Sequence, residues 1–377
     1  SIQVRLDVRQ ILTHWSAACR LLFATLLLIA PTEDLSAQDA KGIKNLAGAD
    51  LDLMNNHDPA SELENFDLLD GYQVNLFASD PMIANPVHMH WDSRGRLWVA
   101  CSWAYPQLKP GEVADDKIII LEDTDDDGVA DKSTVFADGL YLPTGLELAN
   151  GGCYVAQSPD VFFFKDTDGD DVADVKELAL TGFGIEDSHH SISAWRRGPG
   201  GWIYFQEGIF LHAQVETQHG VVRNFNGGVY QFNPRTQELR VFCTGTGGNP
   251  WGHVFDDWGQ SFMVNNPRIM YLSPATGNSG EKIRIKPLIS TEKQCGGDLA
   301  SGTHVGDDIR GNLLSGRFKS RTIIRYEFVE QGAGYSANVL EPLMTSKHPN
   351  FRPVDVKVGP DGAIYVADWY NSIINHA

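Results

Sequence analysis

Apolar residues beyond position 66 come in short runs, separated by clusters of Gly, Asp, Asn and Pro. Leu97-Trp-Val-Ala100, Lys117-Ile-Ile-Ile-Leu121 and Val161-Phe-Phe-Phe164 are examples. Short apolar runs bounded by turn residues predict β-strands, and little of this region has helical periodicity. A turn-then-strand unit recurs along the chain. It reads Asp92-Ser-Arg-Gly-Arg-Leu-Trp-Val-Ala100, Gly151-Gly-Cys-Tyr-Val-Ala156, Gly198-Pro-Gly-Gly-Trp-Ile-Tyr-Phe205, Asp256-Asp-Trp-Gly-Gln-Ser-Phe-Met-Val264, Asp308-Ile-Arg-Gly-Asn-Leu-Leu314 and Gly359-Pro-Asp-Gly-Ala-Ile-Tyr-Val-Ala-Asp368. Its glycines fall at 95, 151, 201, 259, 311 and 362. A repeat of this length, rich in strands, predicts an all-β fold, a six-bladed β-propeller over residues 67–377. Each repeat glycine is expected to supply a positive φ at its turn. The spare strand Tyr72–Ala78 is expected to pair with the last blade and close the ring.

The amino-terminal part has a different pattern. Arg5, Arg9 and Arg20 precede the apolar run Leu21–Ala30, which is short for a bilayer span, and Leu35-Ser-Ala37 offers a cleavage point. Residues 1–38 therefore read as a helical signal peptide, with a buried core helix as the alternative. Residues 39–66 read as a loose acidic linker. The mature chain would have no transmembrane span and would be periplasmic or secreted. Removal of the signal would leave Cys101, Cys153, Cys243 and Cys295, in a compartment that permits disulfides. The 377 residues carry a net charge of −19, which argues against a nucleic-acid partner. It suits bound cations.

Two acidic segments match each other: Asp123-Thr-Asp-Asp-Asp-Gly-Val-Ala-Asp131 and Asp166-Thr-Asp-Gly-Asp-Asp-Val-Ala-Asp174. Carboxylates at loop positions 1, 3, 5 and 9 can converge on a hard cation. Candidate Ca2+ ligands are Asp123, Asp125, Asp127 and Asp131 in the first, and Asp166, Asp168, Asp170, Asp174 and Glu177 in the second. Solvated Asp-rich turns are the alternative. The second loop has Asp171 where the first has Gly128. Loops that enter the innermost strands carry further candidates: Asp187, His189 and His190; Asn249, Trp251 and His253; His304 and Asp307; Arg352 and Asp355. A single histidine in such a loop is more often a structural hydrogen-bonder than a catalyst.

Asn85-Pro-Val, Gly95-Arg-Leu-Trp-Val, Glu186-Asp-Ser-His-His, Asn249-Pro-Trp-Gly-His253 and the stretch from Val354 to Asn371 carry a resemblance. The chain resembles the membrane-bound dehydrogenase domain of planctomycete-type secreted proteins. It is more remotely similar to soluble PQQ-dependent glucose and sorbosone dehydrogenases, which are six-bladed propellers. The remote likeness implies His190 as catalytic base, oriented by Asp187 with His189 beside it. It implies Asn249, Lys319, Arg352 and Asp355 against the cofactor pyrroloquinoline quinone (PQQ). Two arginines of that pattern are replaced here, and Thr144 stands in place of a Gln. The substrate would be a sugar or polyol, and the electron acceptor a cytochrome c on a further C-terminal region. Two alternatives stay open: a non-enzymatic NHL-like recognition propeller for carbohydrate or protein, and a lactone hydrolase with a metal held by Asp355, Asn249 and His190.

Overall fold

The structure is a computed structural model, and it describes residues 2–7, 50–106, 108–265, 267–274 and 283–371. It is all-β, with strands radiating from a central channel as in a β-propeller. Five blades are each built from a continuous stretch of chain, 86–140, 145–181, 193–244, 250–290 and 295–346, the last with Phe66–Leu68 added at its edge. The last sheet is different. It pairs Pro353–Val358 and Ile364–Asp368 with Ile2–Asp7 and then Tyr72–Ala78. The expectation of six equivalent units is thus corrected to five continuous blades and one composite sheet drawn from both ends of the chain. Tyr72–Ala78 does join that sheet, but through the parallel strand Ile2–Asp7. That strand is extended rather than helical, and the rest of the expected signal peptide lies outside the described residues.

All six repeat glycines have positive φ, from +73° at Gly151 to +81° at Gly311 and Gly362. The turn Asp acts as a local cap: Asp92 Oδ1 accepts from the backbone N–H of Arg94 and Arg96, and Asp256 Oδ1 from Trp258 and Gln260. This is an Asx turn, so the motif is a rigid corner between two strands. Apolar residues from neighbouring sheets fill the spaces between blades. Trp195 stacks on Phe205, and Phe205 on Tyr230, within one such cluster.

Residues 50–66, expected as part of a loose linker, are packed. Leu51–Met54 and Pro59–Leu63 are one-turn helices capped by Asp50 and Asp58. Phe66–Leu68 pairs with Met344–Ser346. Asn350 donates to the Met54 carbonyl, and Tyr370 to that of Asn56. Glu62 is wholly buried beneath this strap. Cys101, Cys153, Cys243 and Cys295 are all buried free thiols, so no disulfide braces the described residues. Among them, no helix is long and apolar enough to cross a membrane.

Candidate functional site

The innermost strand of each sheet presents polar residues to the channel, although such strands would ordinarily be apolar in a core. Their charges are paired. Lys357 Nζ lies 3.3 Å from Asp355 Oδ1, Arg196 Nη2 2.5 Å from Asp298 Oδ1, and His90 Nε2 3.2 Å from Glu147 Oε1. The acids also bind backbone across the seams between sheets. Asp355 Oδ2 accepts from Met89 N at 3.0 Å, joining the last sheet to the first blade. Asp298 Oδ2 accepts from Val358 N at 3.0 Å. Burial pushes the Asp355 carboxyl up, against the pull of Lys357. His253 is buried, bonded through Nε2 to Ser261, and held to about 3 by burial, so it is neutral.

Above this floor opens a cavity of about 580 Å³. Its wall includes Thr144, His189, Asn249, Lys319, Arg352 and Asp355, which are far apart in sequence. Thr144, Asn249 and Arg352 each immediately precede an innermost strand, so the repeat places them at one level.

The histidine pair is set by a single turn. Asp187 caps the 3-10 turn Ser188–His190, accepting from His189 N at 2.9 Å. Its two oxygens then divide between the rings: Oδ1 lies 3.2 Å from His189 Nδ1 and Oδ2 lies 3.4 Å from His190 Nδ1. A carboxylate only accepts, so the hydrogen-bonded His189 Nδ1 carries the proton and its Nε2 is basic. The His190 contact is a looser ion-pair approach, and that ring's tautomer follows from the Asn249 amide donating to its Nε2. The two rings then diverge. His189 lines the cavity, edge-on to Tyr105. His190 is turned behind the wall, where its Nε2 accepts from Asn249 Nδ2 at 2.9 Å. Gly208 makes room for it, since a Cβ there would sit 2.8 Å from that of His190. The expectation that His190 faces the channel is therefore corrected: its neighbour does.

The opposite wall is basic. Arg352 is nearly buried, with its N–H on Asp368 Oδ1 at 2.6 Å and its Nη1 on the Phe351 carbonyl at 2.7 Å. Burial pulls its guanidinium down to about 10. Glu62 reaches in beside Asp368. Burial pushes both carboxyls up, Asp368 to about 7. Lys293 and Lys357 also line the cavity and were not foreseen. Lys357 could have been found, because it lies two residues after Asp355 and so on the same face of one strand. Lys293 lies in the loop before an innermost strand, a position as telling as that of Asn249. Glu62 offers no such signal. His304 and Asp307 are not part of the cavity wall.

The acidic loops lie away from this cavity. One oxygen each from Asp123, Asp125 and Asp131 come within 4.8 Å of one another, and likewise from Asp166, Asp168 and Asp174. Asp127, Asp170 and Glu177 fall outside these groups. Asp127 and Asp170 instead accept from Val129 N and Val172 N, each at 2.8 Å. Asp171 takes the glycine-like φ of +66°, and its carboxylate bridges Arg94 and Arg96, each at 2.8 Å.

Several solved structures share this fold. One is described as an oxidoreductase (glucose dehydrogenase) from Thermus thermophilus, with TM-score 0.53, 15% identity, 78% of this chain and 94% of that one covered. Another, a glucose dehydrogenase, gives 0.51, 13%, 77% and 95%. The PQQ domain of a pyranose dehydrogenase from Coprinopsis cinerea gives 0.50, 13%, 82% and 95%. At such identities these matches establish the fold only. No curated protein sequence matches. The model of one family, described as a domain of unknown function (DUF7133), matches residues 58–377, and the chain belongs to that family.

Proposed function

We propose that this protein is a quinoprotein-like dehydrogenase that oxidises a hydroxyl of a sugar or polyol in its central cavity. The observation that carries this reading is the convergence of His189, Asn249, Lys319 and Arg352 on one cavity of about 580 Å³. That volume lies within the range of roughly 300–1,000 Å³ typical of small-molecule sites. The similarity of fold to glucose and pyranose dehydrogenases supports it.

The donor set suits PQQ, a planar acid. Lys319, Arg352 and Asn249 would hold its carboxylates and polar edge, and Lys357 adds positive charge where two arginines of the related pattern are replaced. When bound, this cofactor supplies the acceptor for the two electrons of alcohol oxidation. The chain's own part is proton handling and positioning. Asp187 fixes the tautomer of His189, so Nε2, a buried atom at the cavity wall, is the nitrogen that would take the hydroxyl proton. The imidazolium that forms is stabilised by the same carboxylate. His190 is a positioning residue: it anchors the Asn249 amide from behind. Electrons would leave to a cytochrome c. The acidic loops would hold Ca2+ and stiffen their blades, and the protein would work in the periplasm or outside the cell.

The hydrolase alternative requires Asp355, Asn249 and His190 around one ion. Instead Asp355 is held by Met89, Val356 and Lys357, and Asn249 by His190.

PQQ titration with Ca2+ present, followed by absorbance and thermal shift, tests the reading. Saturable binding is expected, weakened in Lys319→Ala. Dye-linked sugar oxidation is expected to be lost in His189→Gln and reduced in His190→Gln. A folded, Ca2+-loaded protein that binds no PQQ would overturn it, as would full activity in His189→Gln.

A further inference from the structure

The cavity carries more positive charge than its paired groups use. Lys357 answers Asp355, but Lys293 and Lys319 have no ion-pair partner among the described residues. The nearby carboxylate of Glu292 is already engaged, by the Ser320 hydroxyl and, at 4.0 Å, by Arg317. Lys293 is half-buried, and burial followed by repulsion from Lys319 pulls its ammonium below the usual lysine range. Lys319 is exposed, so the cost falls on half-buried Lys293, whose positive charge a bound anion would relieve. Beside the pair lies an aromatic surface: Trp251 and Phe318 line the same cavity with ring centroids 5.9 Å apart. A flat apolar face next to a fixed charge suits a ring with an apolar side and an acidic substituent.

We propose that the substrate of this site is an acidic sugar, a hexuronate-type pyranose. Its carboxylate is held by Lys293 and its ring lies on Trp251 and Phe318. This assignment rests on the dehydrogenase reading for the substrate's role, while Lys319 remains with the cofactor. Lys293 is the residue that separates an acidic sugar from its neutral counterpart.

Calorimetric titration of the whole chain with glucuronate and with glucose, each with and without PQQ, tests this. Glucuronate is expected to bind at least about tenfold more tightly than glucose, a difference of about 1.4 kcal/mol. Lys293→Gln is expected to abolish that preference and Lys293→Arg to keep it. Lys347→Gln, which alters a surface lysine paired with Asp67, is the control and should change nothing. Equal affinity for the two sugars would overturn the assignment, as would a preference that survives Lys293→Gln or binding of neither sugar. Failure of PQQ to bind while glucuronate binds would sink the dehydrogenase reading and leave the acidic-sugar site standing.

Discussion

The central cavity and the outer acidic loops both concentrate charge, but they hold it in opposite ways. The loops are local. Nine consecutive residues supply each carboxylate cluster, and the loop's own backbone satisfies much of it: Asp166 alone accepts from Asp168, Gly169 and Asp171. The cavity and its floor are assembled from distant sequence, and buried acids there are held across the seams between sheets, Asp355 by Met89 N and Asp298 by Arg196 and Val358 N. Exposed charge satisfied locally is cheap to keep and cheap to lose. Buried charge satisfied across a seam is costly to disturb, because the partner left behind is stranded.

Four experiments would break or sharpen this contrast. Asp355→Ala should have the largest effect, about 3–5 kcal/mol of stability in urea unfolding, because it strands Lys357 and the Met89 N–H in the interior. A loss below 1 kcal/mol would refute the view of the seam as a structural joint. Asp368 comes next. Its folded value, about 7, lies above its ordinary 3.8. The stability it contributes is therefore complete below its ordinary value and lost as pH rises through about 7. Asp368→Asn should flatten the decline of stability across that window by an amount on the order of 1–3 kcal/mol; an unchanged pH profile would show that burial does not raise the Asp368 carboxyl as described.

The loops should respond more weakly. Asp171→Ala removes the bridge to Arg94 and Arg96 and should cost about 1 kcal/mol, less in high salt. Asp171→Gly should cost less than Asp171→Ala, because glycine relieves the positive φ. The smallest effect is that of added metal. A three-carboxylate site with a Kd of about 1 mM would gain about 0.4 kcal/mol at about 1 mM Ca2+. Calorimetry should show half of the bound Ca2+ lost in Asp166→Ala, and a Ca2+-insensitive melting curve would argue for plain solvated turns.

The same contrast decides what could be read from the sequence. The repeat glycines were legible because a positive-φ turn leaves its mark at one position. In the acidic loops the convergence of Asp123, Asp125 and Asp131 and of Asp166, Asp168 and Asp174 follows local spacing. Asp127 and Asp170, turned to backbone N–H groups, Glu177, and Asp171, whose arginine partners lie on a neighbouring blade, do not follow it. In the cavity, Asn249, Lys319 and Arg352 were found by resemblance and by their place before or between strands. The choice between His189 and His190 was not legible. In an extended chain alternate residues face opposite ways, but the 3-10 turn at Ser188–His190 breaks that alternation. Glu62 was missed because an isolated carboxyl in an acidic stretch gives no hint that a strap will bury it under Arg352.

The join at Asp355 and Met89 also bears on the order in which the protein becomes competent. Arg352, Asp355, Lys357 and Trp369 all belong to the final sheet or the residues flanking its strands, and that sheet is completed by Ile2–Asp7 and Tyr72–Ala78, strands far upstream in sequence. A growing chain can fold its five continuous blades while the cavity still lacks one side. Ligand recognition is thereby tied to completion: only a molecule in which the upstream strands have met the final sheet offers a place to bind, and a half-open one is silent.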